Sequence, residues 1–196
     1  MRKIPTLYQR DPEDRRYVTD EVTPGCEWVL AGEGIPTRKL DGTCVRLDTH
    51  GAWWARREVK PGKAEPAGFV AIEHDETTGK TVGWEPVEQS PFIKFMREAV
   101  GTGGFARSFT PGTYELVGPK INGNPEGFGA HTLLSHDAST TIDPGEFNVG
   151  DWKAAIDTAR REDWEGIVWH HPDGRMAKLK VRDIRPAEHT QTGRRD

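Results

Sequence analysis

Four residues, Lys39-Leu40-Asp41-Gly42, set an amine beside a turn. Residues two apart in a strand project to one face, which puts Lys39 and Asp41 together, and Gly42 lets the backbone pass a ligand without a Cβ in the way. An amine attacks only as the free base, and an ordinary lysine, with a pKa of about 10.4, is almost wholly protonated at neutral pH. Nearby cations disfavour the ammonium form. Lys178 and Lys180, again two apart, suit that role and the neutralisation of a polyphosphate. Between them in the chain come Arg56, Glu115 in Tyr114-Glu115-Leu116-Val117, and Glu165 in Glu165-Gly166-Ile167-Val168. A carboxylate beside a buried apolar run is costly without a partner, so each glutamate faces solvent or holds a hydroxyl, a metal or a cation. Gly166 permits close backbone approach beside Glu165, and magnesium favours carboxylate ligands. Singly, Lys39 reads more readily as a surface lysine in a turn, and Glu115 equally as a charge at a strand edge. Together the ordered set makes a site for transferring a nucleotide through a lysine adduct.

The elements that must hold these residues are mostly strands. Alternation predicts strands at Trp28-Val29-Leu30, over Thr37 to Leu47 with a turn at Asp41-Gly42, over Trp53 to Arg57, from Thr113 to Val117 and from Gly166 to Trp169. The stretch to about Pro24 is polar and reads as surface-wrapping or without order, and Pro61 to Gly83 reads as loop. Ser90-Pro91 signals a helix start; Phe92, Ile93, Phe95, Met96, Ala99 and Val100 follow at helical spacing to Gly101. A second helix is predicted from about Val149 to Glu162, capped by Asn148, with Trp152, Ala155, Ile156 and Ala159 on one face. Gly101 to Gly104 reads as a helix terminator, and Gly123 to Gly129 as a connecting loop or the lining of a channel. The order predicts an α+β fold in which antiparallel sheets carry the site.

Composition sets outer bounds. With 196 residues the chain is most simply one domain, and seven Trp and seven Phe supply large surfaces to bury despite a hydrophobic content of 34%. A formal charge of −4 excludes a wholly basic, histone-like binder, so contact with nucleic acid needs a local patch. Arg56, Arg57, Lys120, Lys94 and Arg97 are candidates for phosphate contacts; all but Arg56 read more readily as solvated charges. Cys26 and Cys44 have no Cys-x-x-Cys spacing, and Cys44 reads as a small buried thiol. No signal peptide and no apolar run of about 18 residues is evident, so an intracellular, cytoplasmic protein is expected. There is no Gly-x-Ser-x-Gly elbow, no phosphate loop of the Gly-x-x-x-x-Gly-Lys type, and no zinc spacing among the seven histidines.

The chain resembles the ATP-dependent RNA ligases of the covalent nucleotidyltransferase superfamily, most closely the small 5′-to-3′ RNA ligases related to vertebrate RNA ligase 1. The likeness runs from Thr37 to Val181. It is carried by Lys39-Leu40-Asp41-Gly42-Thr43-Cys44, Trp54-Ala55-Arg56, Gly83-Trp84-Glu85-Pro86-Val87, Glu115-Leu116-Val117-Gly118, Ile121-Asn122-Gly123-Asn124-Pro125, the run His131 to His136, and Glu165-Gly166-Ile167-Val168-Trp169-His170. The resemblance implies one adenylyltransferase domain over 1–196, with 1–24 and 183–196 peripheral. Lys39 would take AMP from ATP as lysyl-AMP. Arg38, Asp41, Gly42, Arg56, Glu115, His131, Val168, Lys178 and Lys180 would contact the nucleotide, with Glu115 at the ribose. Glu165 would place Mg²⁺ or Mn²⁺. The partner would be RNA with 5′-phosphate and 3′-hydroxyl ends, with Arg57, Lys120 and Asn122 toward it, and repair of broken RNA the role. Two features depart from related ligases: Cys44 stands where many DNA ligases have arginine, and no aromatic is obviously placed to stack on the base. After Lys180 sixteen residues remain, too few for a C-terminal OB barrel. A nucleotide- or RNA-binding module without turnover and a DNA nick-sealing ligase are the alternative readings.

Overall fold

A computed structural model describes residues 2–101, 109–138 and 151–186. In chain order the elements are β1 (Tyr8–Arg10), β2 (Val18–Val22), α1 (Glu27–Leu30), β3 (Ile35–Lys39), β4 (Thr43–Leu47), β5 (Trp53–Val59), β6 (Val70–Asp75), β7 (Lys80–Pro86), α2 (Ile93–Gly101), β8 (Gly112–Val117), β9 (Thr132–Ser135), α3 (Trp152–Arg161), β10 (Gly166–His170) and β11 (Met176–Lys180). The protein is α+β, with mostly antiparallel sheets and few helices. The chain divides into two compact units, each built from separate stretches: Met1–Ile4 with Thr37–Thr141, and Pro5–Pro36 with Ile142–Asp196.

The first unit is built on a six-stranded sheet ordered β6-β7-β5-β4-β8-β9. The period of two divides its central strands into unlike faces. Val45, Leu47, Ala55, Tyr114, Leu116 and Leu133 lie in a core that also takes Met96 and Ala99 of α2. In register, Cys44 pairs with Glu115, Arg46 with Thr113, and Arg56 with Trp84, so the opposite face carries the polar and charged residues. β6 and β7 correct the expectation of a loop from Pro61 to Gly83. Asp75 ends β6, and its Oδ1 accepts N–H bonds of 3.1 Å from both Thr77 and Thr78, which closes a hairpin. β6 is an edge strand with mostly exposed or half-buried residues, so no apolar stripe marks it in the sequence.

In the second unit β10 and β11 pair antiparallel, and the sheet order is β11-β10-β3, with β3 beginning in this unit. Ile167, Trp169, Ala177 and Leu179 point into a core shared with Ala155, Ile156 and Ala159 of α3. The apolar face expected of this helix is thus buried, although its N-cap is Asp151, whose carboxylate accepts the Ala154 N–H at 3.0 Å. The expected cap Asn148 and the reading of 102–104 lie outside the described residues.

Two other expectations are corrected here. Trp28-Val29-Leu30 is helical, within α1, because the run is one turn long and packs Trp28 and Val29 inward. The N-terminal stretch is ordered: Leu7 is wholly buried, and the chain lies along β11 through Leu7 N–H to Lys178 O at 2.8 Å and Lys178 N–H to Pro5 O at 3.0 Å. A few scattered apolar residues in a polar stretch give no periodicity, yet Leu7 and Tyr8 are buried in the core and anchor the segment. No helix among the described residues is long and apolar enough to cross a membrane. Leu7→Ala should therefore cost about 2–5 kcal/mol, read as a lower urea midpoint, because it empties a fully buried site. A variant as stable as the parent would show that the segment is not part of the core.

Candidate active site

Lys39 closes β3, and its Nζ lies 3.3 Å from the Leu40 carbonyl, to which it donates. The Asp41-Gly42 turn follows and is fixed from three sides. Asn122 Nδ2 donates to Asp41 Oδ1 at 2.9 Å and to the Gly42 carbonyl at 2.8 Å. The Asp41 N–H donates to Glu126 Oε1 at 2.8 Å, and Glu126 also takes an ion pair from Arg38. The Gly42 N–H donates to Glu115 Oε1 at 3.1 Å. A Cβ on Gly42 would collide with the Leu116 carbonyl and come within 2.7 Å of Glu115 Cγ, so the turn presses directly on β8. Asn122 reaches it from a left-handed φ of 49°, a conformation asparagine tolerates better than most residues. Asn124, at φ 62°, bonds Phe128 in both directions and closes the loop behind it.

Glu115 is the buried centre of the polar face, with 9% of its surface exposed. Its second oxygen lies 3.0 Å from His136 Nε2, and His136 Nδ1 lies 2.9 Å from Thr113 Oγ1. Across β4 stands Cys44, where burial, with Glu115 adding to it, pushes the thiol up to about 12; Arg56 and Lys39 act in the opposite sense. Arg56 stacks over Trp84, with its guanidinium 5.6 Å from the ring centre, and burial draws its pKa down. Arg46 approaches the same ring at 5.9 Å. His131 belongs to a neighbouring cluster. It accepts the Lys120 N–H at Nε2 (3.3 Å), which places its own proton on Nδ1, 2.7 Å from Glu98 Oε2, and its ring stacks on Phe95 at 4.6 Å. Arg57 lies 3.9 Å from Glu85, at the outer end of the row.

The second unit holds Glu165, Val168, Lys178 and Lys180. Register places Gly166 opposite Lys180 and Val168 opposite Lys178, so both lysines lie on the face away from the core. Gly166 is required by contact: an added Cβ would strike the Leu179 carbonyl and lie 2.7 Å from Lys180 Cα. The Glu165 carboxylate pairs with Lys180, and Arg182 lies 3.8 Å from the same oxygen. A carboxylate held between two cations is a poor ligand for a dication. This arrangement therefore does not fit magnesium on Glu165.

Thus the structure joins Arg38, Asp41, Gly42, Glu115 and Asn122 in one network next to Lys39, places Arg56 on the same sheet face, and pairs Glu165 with Lys180. Glu126 is absent from the sequence reading, and Trp84 and His136 enter it only within motifs. Glu126 has no local signal, because Arg38 and Asp41 lie 88 and 85 residues away from it.

A family model described as RNA ligase 1 matches residues 106–185. The chain is 26% identical to an RNA ligase 1 of Pongo abelii over 212 residues, covering 74% of this chain and 65% of that protein. It is 23% identical to an RNA ligase 1 of Danio rerio, covering 82% of this chain and 70% of that one, and 36% identical to that of Mus musculus over 72 residues, 34% of this chain and 22% of that one. The chain resembles the RNA ligase 1 family. Its alignment with the Pongo protein spans just under two thirds of that relative's length. The stretch matched by the family model holds Glu115, Asn122, His131, Glu165, Lys178 and Lys180; Lys39 precedes it.

Both cysteines are free thiols, and burial raises both pKa values. The thiolate is the reactive form, so raising a thiol pKa removes reactivity at a given pH. Neither should react appreciably with Ellman's reagent at pH 8 in the folded protein, and both should do so in urea. Rapid reaction of one thiol before unfolding would contradict the burial of Cys44.

Proposed function

We propose that this chain is an ATP-dependent RNA ligase that works through lysyl-AMP on an adenylation fold. The observation that carries the reading is the network around Lys39: Asp41, Gly42, Glu115 and Asn122 are joined by direct hydrogen bonds beside the lysine. The likeness to RNA ligase 1 proteins supports the substrate class.

In this reading the Lys39 amine, having lost its proton to solvent, attacks the α-phosphorus of ATP. A P–N bond forms, the α–β P–O bond breaks, and pyrophosphate leaves. The triphosphate enters as its magnesium (or manganese) complex. Glu115 meets the ribose, and Arg38, Arg56, His131, Val168, Lys178 and Lys180 keep the nucleotide roles the resemblance gives them. An oxygen of an RNA 5′-phosphate then attacks the lysyl-AMP phosphorus and the P–N bond breaks. Finally a 3′-hydroxyl attacks the activated 5′-phosphate, AMP departs, and the strand is sealed. Arg57, Lys120 and Asn122 lie toward the RNA. Repair of broken RNA inside the cell is the role that fits these ends.

Incubation with ATP labelled at the α-phosphate should leave label on the parent protein, at one adduct per chain at most. Lys39→Ala and Lys39→Arg should each reduce it to background while keeping the parent's circular dichroism spectrum. Equal labelling of the Lys39 variants would assign the nucleophile elsewhere. A parent that binds ATP without ever forming an adduct would leave a binding module instead.

A further inference from the structure

Three adjacent strands converge on one point of the polar face of the six-stranded sheet. Cys44 on β4 stands directly opposite Glu115 on β8, and His136 follows the last residue of β9, beside Thr113, whose carbonyl accepts the His136 N–H at 3.0 Å. One sulfur, one carboxylate oxygen and one imidazole nitrogen from these residues all lie within 4.8 Å of one another. We infer that Cys44, Glu115 and His136 form a binding site for a zinc-class divalent cation, with three protein ligands and a fourth position left to water. The inference rests on the nucleotide role proposed for Glu115 only in its consequence for activity.

The donor set decides the class of ion. Thiolate with imidazole and carboxylate suits zinc or cobalt and is wrong for magnesium or calcium, which take oxygen. Tetrahedral zinc with bonds of about 2.0–2.3 Å holds its ligand atoms roughly 3.5 Å apart, so the three donors need only a modest contraction. Glu115 divides its oxygens usefully: Oε1 keeps the Gly42 N–H, and Oε2 faces His136. His136 Nδ1 lies 2.9 Å from Thr113 Oγ1, a hydroxyl that can accept the Nδ1 proton and so hold the ring with Nε2 toward the metal.

Charge works both ways here. Arg56 and Lys39 lie close enough to act on the Cys44 thiol, and their positive charges oppose a dication. Two anionic ligands at bonding distance, the thiolate and the carboxylate, outweigh cations that are farther off, because Coulomb energy falls with distance. On binding, the thiol proton and the Nε2 proton of His136 pass to solvent, Nδ1 carries the remaining ring proton toward Thr113 Oγ1, and the Nε2–H···Oε2 contact gives way to two metal bonds.

The expected consequence is antagonism. A cation on Glu115 Oε2 withdraws the carboxylate proposed for the ribose, so zinc and ATP should exclude one another.

The test uses chelator-treated full-length protein and zinc alone. Equilibrium dialysis should give one zinc per chain. Cys44→Ser and His136→Ala should each weaken binding at least tenfold, Thr113→Val by about tenfold through loss of the imidazole partner, and Cys26→Ser not at all. Cobalt should give a thiolate charge-transfer band in the near ultraviolet, absent in Cys44→Ser. Zinc binding that Cys44→Ser and His136→Ala leave unchanged, or less than one zinc per chain at saturation, overturns the site. Labelling by α-labelled ATP in the presence of zinc then tests the antagonism: a decline with zinc occupancy supports it, and unchanged labelling at full occupancy refutes it. If the chain never takes label, the dialysis and the cobalt spectrum still decide the metal site, so the two proposals fail separately.

Discussion

The Glu115 carboxylate is the constraint around which the first unit is arranged. Burying an ionised carboxylate costs several kcal/mol unless hydrogen bonds and countercharge replace its water. Glu115 obtains those partners from two directions: the Gly42 N–H across the strand turn and the His136 ring from the next strand pair. Both partners depend on register. Shifting β8 by one residue would put Leu116 on the polar face and Glu115 among Val45, Ala55 and Met96. The apolar core on one side therefore specifies the polar chemistry on the other.

The loop after β8 supplies what a sheet alone lacks, a lateral brace on the lysine turn. Asn122 holds Asp41 and Gly42 together, and Glu126 ties the Asp41 N–H to Arg38. Neutral hydrogen bonds contribute only about 0.5–1.5 kcal/mol net and charged ones about 1.5–3, so no single one of these fixes the turn. Their convergence does. Two left-handed asparagines at φ 49° and 62° are the conformational cost of bending the loop back onto β3 and β4.

What was legible in the sequence follows from which signals are local. Alternation located β4, β5, β8 and β10, and helical spacing with its serine-proline start located α2, because each element buries one face and displays the period of that burial. Edge position erased the signal of β6, and the adjacent pair Leu7 and Tyr8 was too little to mark an ordered N-terminal segment. Lys39, Asp41 and Glu115 could be named from residue chemistry. Glu126 could not, since a buried glutamate whose partners lie more than eighty residues away looks in sequence like any loop acid. The Cys44, Glu115 and His136 cluster was equally hidden: zinc motifs announce themselves by short spacings, whereas this one is assembled by cross-strand register from three strands.

Phosphate recognition by a chain of net charge −4 depends on which cations keep their field. Arg38 is matched by Glu126, Arg10 by Asp183, and Lys180 by Glu165, each at contact distance, and such pairs present little net charge to an approaching anion. A phosphate at Lys180 would have to share or displace the Glu165 carboxylate. Arg56 and Arg46 lean on the face of Trp84, and an aromatic ring steadies a guanidinium. Burial also disfavours the charged form of Arg56, so an incoming phosphate would compensate part of its desolvation. The polar face of the six-stranded sheet thus gathers two ring-stacked guanidiniums beside the Cys44 and Glu115 pair.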